Sequence, residues 1–585
     1  MLVHDDEDEV GLSCIMDELL GACGSGQSTD DNQSYAYQRA AITLLHLFCR
    51  DTKMDFSGYV PQLIRNIILM FTSEDTTILQ EAWNTLTAVT KTLDASEQMA
   101  HVSDVRQAVR FAVSDMREKR NQSQEDIVAE ITLPGFCLPK GIQPILPIFR
   151  ESILNGAPDL KEQAANGLAE VITLSNAEAL KPSVVHITGP LIRILGDRFA
   201  SNVKTAVLDT LSSLLYKASI LLKPFFPQLQ TTFVKALNDP NRTVRLKAGI
   251  ALSHLIVIHM RPDPLFNELA NGIKGAADDT SVRETYLQAL RGCLEPAGDK
   301  MSAPIRRQIL PQLLALTDGT GAASGSIVED TSRSAAAGCL GSYLRWLPSE
   351  DADSVMNNHI LAPDDVDLDW TIRHGRSTAL FVAIKEMPWR IVSGNQKQKV
   401  IQSILSYLVA DRIPIVQNGI RSCAFFIKHC IKPTLPKYLR EGEDDLFDTN
   451  PQEIPLELIG PFVKTLKHSS NDVKQLAAVV SSFIAKTICD RKPTIAEGGL
   501  LPAGLLRSLL PLLVNGTKEK NSTVKSCSES ALVNILRLRQ KGENGVKECL
   551  QVTFLATVKH STPGNWKDKF LPPIILFLIS NHVFI

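Results

Sequence analysis

The chain has 585 residues, a formal net charge of −3, an apolar fraction of 44% and only 6% aromatic residues. That length exceeds a single core, so several domains or one extended array are expected. Near-neutral charge argues against a protein that coats nucleic acid without preference, and few aromatics beside abundant Leu, Ile and Ala favour helix on helix over a β-sandwich.

In chain order, the start "MLVHDDEDEV" is acidic, the wrong sign for a secretory leader. Residues 1–137 are compatible with helical repeats without being distinctive. From 138 a pattern sets in, clearest in "FFPQLQTTFVKALNDPNRTVRLKAGIALSHL", Phe225 to Leu255. Pro227 suits a first helical position. Leu229, Phe233, Ala236 and Leu237 give a 3.6-residue stripe, and "NDPN" breaks the helix. A second helix carries Val244, Ala248, Leu252 and Leu255 on one face.

The pattern recurs. "ITGPLIRILGDRFASNVKTAVLDTLSSLL" opens its second helix at Val203-Lys204, and further copies open at Val282-Arg283, Val473-Lys474 and Val524-Lys525. Looser copies centre on Leu160-Lys161, Ile372-Arg373 and Val416-Gln417, with a degenerate one at Ser332-Arg333. From Leu160 the successive gaps are 43, 41 and 38 residues. Two helices at a period near 40 are the signature of HEAT repeats. The expected fold is all-α, a HEAT-repeat α-solenoid in which antiparallel helix pairs build a right-handed superhelix. One pair cannot bury its apolar face alone, and stacked pairs share a continuous core. Asp239 before the second helix and Arg245 just inside it are expected to pair between adjacent units, with Arg283 in the same structural position as Arg245.

Glycine-rich 317–332 and acidic 440–455 read as loop insertions, and the pattern is lost from Gly542 onward. The apolar end from Phe570 carries two prolines and is short for a membrane span. Neither end carries a convincing polar cap, so the chain reads as a piece of a longer solenoid. Eleven scattered cysteines contain no C-x-x-C, and the closest pair is Cys423 and Cys430. They predict reduced, mostly buried thiols and a cytoplasmic protein.

No catalytic, cofactor or metal site emerges. "GACGSGQS", Gly21 to Ser28, resembles a phosphate loop but has Gln27 where the lysine belongs and no preceding strand. "GTGAASG", Gly319 to Gly325, lacks the dinucleotide spacing. No Ser or Cys has a recognisable nucleophile setting. His374, between Arg373 and Arg376, is expected in an intramolecular polar network. Arg193 is placed on the exposed side of its helix by the stripe of Leu191, Ile194 and Leu195. It reads either as a solvated surface arginine or, with Arg198, Lys204 and Lys223, as part of a protein-docking patch.

From about 138 to 541 the chain resembles the C-terminal part of the general-control translational activator family. These are very large HEAT-repeat activators of the kinase that phosphorylates the alpha subunit of initiation factor two. The segments that carry the resemblance include "LPKGIQPILPIFRESILNG", "KPSVVHITGPLIRILGDRF", "LKPFFPQLQTTFVKALNDPNRTVRLKA", "RHGRS" and "SALVNILRLRQ". The resemblance implies a non-enzymatic regulator that promotes kinase activation on stalled ribosomes during amino-acid starvation. It implies docking of the kinase's RWD domain at 138–300, with the family's docking arginine at Arg193 and with Arg198 and Lys204 beside it. Contact with the ribosome is implied mainly for regions upstream of the matching part. The remaining repeats would run from 301 to 541, and residues 542–585, an atypical tail, do not match the family's charged C-terminus. No cofactor, small-molecule substrate or membrane partner is implied. Two other readings stay open: a generic scaffold or transport-receptor-like solenoid, and a ribosome- or RNA-binding module without kinase contact.

Overall fold

The computed structural model describes residues 9–24, 31–122, 131–196, 199–318, 330–363, 368–393, 395–431, 433, 455–489 and 503–536. Among them every regular element is a helix, and there is no strand. The chain divides into two compact units, Met1–Ser302 and Ala303–Ile585.

The first unit is built from consecutive helix pairs. Those used below are α1 (Thr76–Thr92), α2 (Leu146–Asn155), α3 (Pro158–Thr173), α4 (Val184–Gly196), α5 (Ser201–Ala218), α6 (Phe226–Ala236), α7 (Arg242–Leu255), α8 (Asp263–Gly275) and α9 (Thr280–Ala297). Within a pair α2 packs on α3, α4 on α5, α6 on α7 and α8 on α9, and the second helices stack in the order α3, α5, α7, α9. The sequence explains both features. Side chains around the breaks cap the helices that follow: Asn241 accepts the Thr243 N–H at 2.8 Å and Asp279 accepts the Val282 N–H at 3.0 Å. The stripes expected for α6 and α7 face inward, with Leu229, Phe233, Leu237, Val244, Ala248, Leu252 and Leu255 all fully buried. Helix α5 meets neighbours on several sides and buries Leu208 and Ser212 besides its Val203, Ala206, Val207 and Leu211 stripe. Small residues let second helices approach closely: a Cβ added at Gly249 would lie 3.3 Å from the Ala289 methyl.

In the second unit, helices Asp330–Tyr343, Trp370–Glu386, Ile413–Ile431, Asn471–Cys489 and Ser522–Leu536 pack each on the next. Helix Ile413–Ile431, the looser copy, carries Gln417 where the other copies carry a cation, and the amide of the adjacent, buried Asn418 donates to Ser377 at 3.1 Å and Thr378 at 2.8 Å.

Six of the described cysteines are buried. Burial pushes the thiols of Cys423 and Cys430 up to about 12 and about 11, so both stay protonated at neutral pH. By length and composition 201–236 is apolar enough to cross a membrane, but here it is two helices of adjacent pairs, joined by the turn Ser219–Phe225, with 56% of its most apolar window buried. Gly21 to Gly24 of the phosphate-loop look-alike close the helix Glu9–Gly24. The rest of that stretch, Gly319–Gly325, nearly all of 440–455, the tail 542–585 and Arg198 lie outside the described residues.

Candidate docking surface

Helix α4 turns Val184, Ile187, Thr188, Leu191, Ile192 and Ile194 inward. Its opposite face therefore presents Val185, His186, Gly189 and Arg193, all exposed. The spacing of His186, Gly189 and Arg193 puts them on one stripe. Pro190 sits inside the helix. Its missing N–H leaves the His186 carbonyl without its usual helical partner, and this backbone acceptor adds to the polar stripe.

Beside this stripe runs a groove of about 300 Å³ lined by Arg150, Leu154, Val185, His186, Pro190 and Arg193, among others. It adjoins a second groove of about 350 Å³ that shares Arg150 and His186 and reaches Trp83 and Lys91 of α1. Among the described residues lining the two grooves, Lys91, Arg150 and Arg193 are cationic and none is acidic. A partner offering carboxylates would meet no like charge on these walls, and arginine can grip them with two parallel hydrogen bonds.

Lys161 lies close behind Arg193. It is only 5% exposed, and its ammonium donates to the Ile153 and Leu154 carbonyls at 2.8 and 2.6 Å. It thus satisfies carbonyls at the C-terminus of α2 that have no helical partner. It also stands 5.2 Å over the Phe199 ring. Burial lowers the Lys161 pKa from its ordinary value, and the Arg193 charge lowers it further. A buried cation behind the groove deepens its positive potential.

Lys161 is one of a series. The fourth residue of each second helix is basic at Lys161, Lys204, Arg245, Arg283, Arg333, Arg373, Lys474 and Lys525. The geometry corrects three sequence expectations. Lys204 does not join Arg193 as a free docking cation: its ammonium is held by the Asp239 carboxylate of the next pair at 2.8 Å. Arg245 does not take that carboxylate. It donates to the Asp239 and Pro240 carbonyls of its own pair at 3.0 and 3.1 Å, and reaches Ser281 and Thr285 of the following pair. The planar fork suits several carbonyl and hydroxyl acceptors, while the lysine point charge takes the carboxylate. Arg283 is buried, no described residue accepts from its Nε, and it is a member of none of the ion pairs named among the described residues.

His374 stands in a polar cluster, 3.8 Å from Asp330, which pairs with Arg333 at 2.9 Å. Its neighbours turn to backbone acceptors, Arg373 to Ser406 at 3.1 Å and Arg376 to Ala362 at 3.4 Å. His374 is thus placed among intramolecular charges, at a distance from Asp330 too long for a hydrogen bond. Among the described residues no three His, Cys, Asp or Glu side chains stand together as a metal site. Sequence reasoning missed Arg150 and His186 as neighbours of Arg193, and Lys91 in the adjoining groove. The only signal was the exposed phase of each helix stripe, which cannot say which helices lie side by side.

Stacked helix pairs with a basic residue at a fixed place in each second helix define a HEAT-repeat protein, and a HEAT-like repeat model matches residues 201–255. A family model described as stalled ribosome sensor GCN1-like HEAT repeats matches 263–557, and another of the same description matches 1–140. The chain belongs to this GCN1-like family. The match extends beyond both ends of the 138–541 stretch, so the departure expected from Gly542 is set back to at least 557. The human stalled ribosome sensor GCN1 is 40% identical over 92% of this chain and 18% of its own length. The Arabidopsis thaliana protein ILITYHIA is 29% identical over 92% of this chain and 18% of its own. The Saccharomyces cerevisiae eIF-2-alpha kinase activator GCN1 is 29% identical over 83% of this chain and 17% of its own. The chain thus spans less than a fifth of the length of these relatives.

Proposed function

We propose that this chain is a non-catalytic docking scaffold of a translational regulator, and that the groove beside Arg193 receives the RWD domain of the kinase acting on the alpha subunit of initiation factor two. The observation that carries the reading is the exposed Arg193 in the first of two adjoining grooves whose described walls together hold three cations and no carboxylate. A yeast relative named as an activator of that kinase supports the choice of partner. A human relative named as a stalled ribosome sensor supports the setting, a stalled ribosome, which we place in the cytoplasm under amino-acid starvation.

In mechanism, the chain recruits the kinase, and activation follows only to the extent that the scaffold binds the active state of the kinase more tightly than the inactive one. Arg193 acts as the anchor, gripping a carboxylate, with Arg150 and His186 completing the rim. Arg198 belongs to the surface by sequence, whereas Lys204 serves the stack through Asp239.

The test is titration calorimetry of the full chain against the purified RWD domain. Arg193→Ala should weaken binding by about 2 kcal/mol or more, the range of an interface hot spot, with an unchanged melt. Arg245→Ala is the comparison that should lower the melt. Unchanged affinity for Arg193→Ala, or no binding by the unaltered chain, sinks the reading.

A further inference from the structure

A second surface lies at the opposite end of α5 from Lys204. Exposed large apolar side chains crowd into one short span. Tyr216 is 69% exposed, Ile220 70%, Val257 51% and Met260 83%. Tyr216 sits in the last turn of α5, Ile220 and Val257 on the turns Ser219–Phe225 and Ile256–Ile258 that follow α5 and α7, and Met260 two residues beyond the second turn. These two turns touch each other. The Tyr216 ring reaches across to His254 of the next pair, with centroids 6.2 Å apart, and Phe226 meets His259 edge-on at 4.3 Å. These contacts join the adjoining ends of two neighbouring pairs, where the four exposed side chains fall.

The charge around the patch is mainly positive. Residues 216–226 include Lys217 and Lys223, residues 254–262 include Arg261, and neither stretch contains an Asp or Glu. Lys223 and Arg261 are exposed. Asp263 follows directly, and its carboxylate is engaged, accepting the Ser302 N–H at 3.0 Å; the next turn, Gly298–Lys300, follows Glu295 and contains Asp299. Scattered exposed apolar residues need no explanation, but a contiguous patch with a polar rim marks an interaction site.

We propose that this patch docks an acidic amphipathic helix of a partner protein. Neighbouring helix pairs stand about 8–10 Å apart, as packed helices do. Residues i and i+7 of a helix are separated by about 10 Å along its axis. One apolar residue of the partner helix would meet Tyr216 and Ile220, another two turns on would meet Val257 and Met260, and carboxylates on its flanks would meet Lys223 and Arg261. An apolar helix face laid into such a surface is a common recognition mode. The patch is distinct from the Arg193 surface, since Arg193 lies in the last turn of α4, while Tyr216 lies in the last turn of α5 and Ile220, Val257 and Met260 lie beyond the ends of α5 and α7.

The experiment selects displayed random peptides of about 16 residues, more than four helical turns, on the full chain. Selected peptides are then measured against three variants, each checked by melting: Ile220→Glu with Met260→Glu, Lys223→Glu with Arg261→Glu, and Arg193→Ala. The expected peptides carry apolar residues at i, i+3 or i+4 and i+7 among Asp and Glu. They bind each double variant at least about tenfold more weakly, as loss of an interface anchor does, and bind Arg193→Ala unchanged. No enriched peptide, peptides without acidic excess, or peptides indifferent to both double variants overturn the proposal. So does patch-dependent binding to phosphatidylserine vesicles, or patch-dependent dimerisation in sedimentation, in place of peptide binding.

Discussion

The Lys204 ammonium stands 2.8 Å from the Asp239 carboxylate and ties the second helix of one pair to the break inside the next. The other oxygen of Asp239 accepts the Asn241 N–H at 2.9 Å and shapes the turn that starts α7. Lys474 repeats the arrangement in the second unit, pairing with Glu519 at 2.7 Å. One carboxylate thus fixes both a local turn and the register between neighbours. The side chains of Lys204 and Asp239 are only 20% and 11% exposed. A double-mutant cycle of Lys204→Met and Asp239→Asn, read by urea unfolding, should give a coupling of about 1–2 kcal/mol, at or above the upper end for exposed pairs. A coupling near zero would reduce the pair to a surface contact.

The two roles assigned to basic residues near α4 separate by experiment. Arg193→Ala and Arg150→Ala should weaken RWD binding with the melt preserved, the first more than the second, because both side chains line the groove and face solvent. Lys204→Ala should lower the melt by the loss of its pairing and leave affinity within about twofold, less than 0.5 kcal/mol. An affinity loss confined to Lys204→Ala would reverse the assignment.

Glu170 makes part of the first unit acid-sensitive. Burial alone would raise its carboxyl pKa, but Arg106 at 2.9 Å and Arg110 at 2.6 Å outweigh burial and hold it below its ordinary value of 4.5. The unfolded chain therefore binds this proton more readily than the folded one. The stabilisation is complete above the ordinary value and is lost as pH falls through the folded value. Unfolding free energies measured between pH 6 and 3 should fall less steeply for Glu170→Gln than for the unaltered chain. Parallel curves would remove Glu170 from the account.

His429 does the same in the second unit at higher pH. Burial, helped by the Lys428 charge, draws its imidazole down to about 4. It is neutral in the fold and takes a proton on unfolding. Its contribution is complete above about 6.5, the ordinary value, and is lost between there and about 4, at about 1.4 kcal/mol per pH unit at most. His429→Gln should flatten the stability curve over that window; an unchanged slope would count against it.

Gly272 sets propensity against packing. Alanine at a helical position gains about 1 kcal/mol over glycine. Yet a Cβ at Gly272 would enter the Tyr286 ring, whose hydroxyl accepts from the Asn238 amide at 2.8 Å. Overpacking costs about 1–3 kcal/mol, so Gly272→Ala should destabilise despite its propensity, read as a lowered urea midpoint. A raised midpoint would mean the ring moves aside freely.

Repeat period, helix stripes and breaks were legible in the sequence because each is set within about forty residues. Apolar spacing decides which face turns inward, and Asn241 and Asp279 decide where a helix starts. The family resemblance, too, was carried by contiguous segments. What only the tertiary structure decided was the partner of each polar side chain. Asp239 lies six residues from Arg245 in sequence, yet its carboxylate goes to Lys204, thirty-five residues back, because the stacking of α5 on α7 brings those two together. Arg193 could be read as exposed from its own helix. That Arg150 and His186 stand with it, and that their groove adjoins one reaching Lys91 with no acidic residue among the described walls, follows from the packing of α1, α2 and α4, and a one-dimensional pattern holds no information about which outer faces become neighbours.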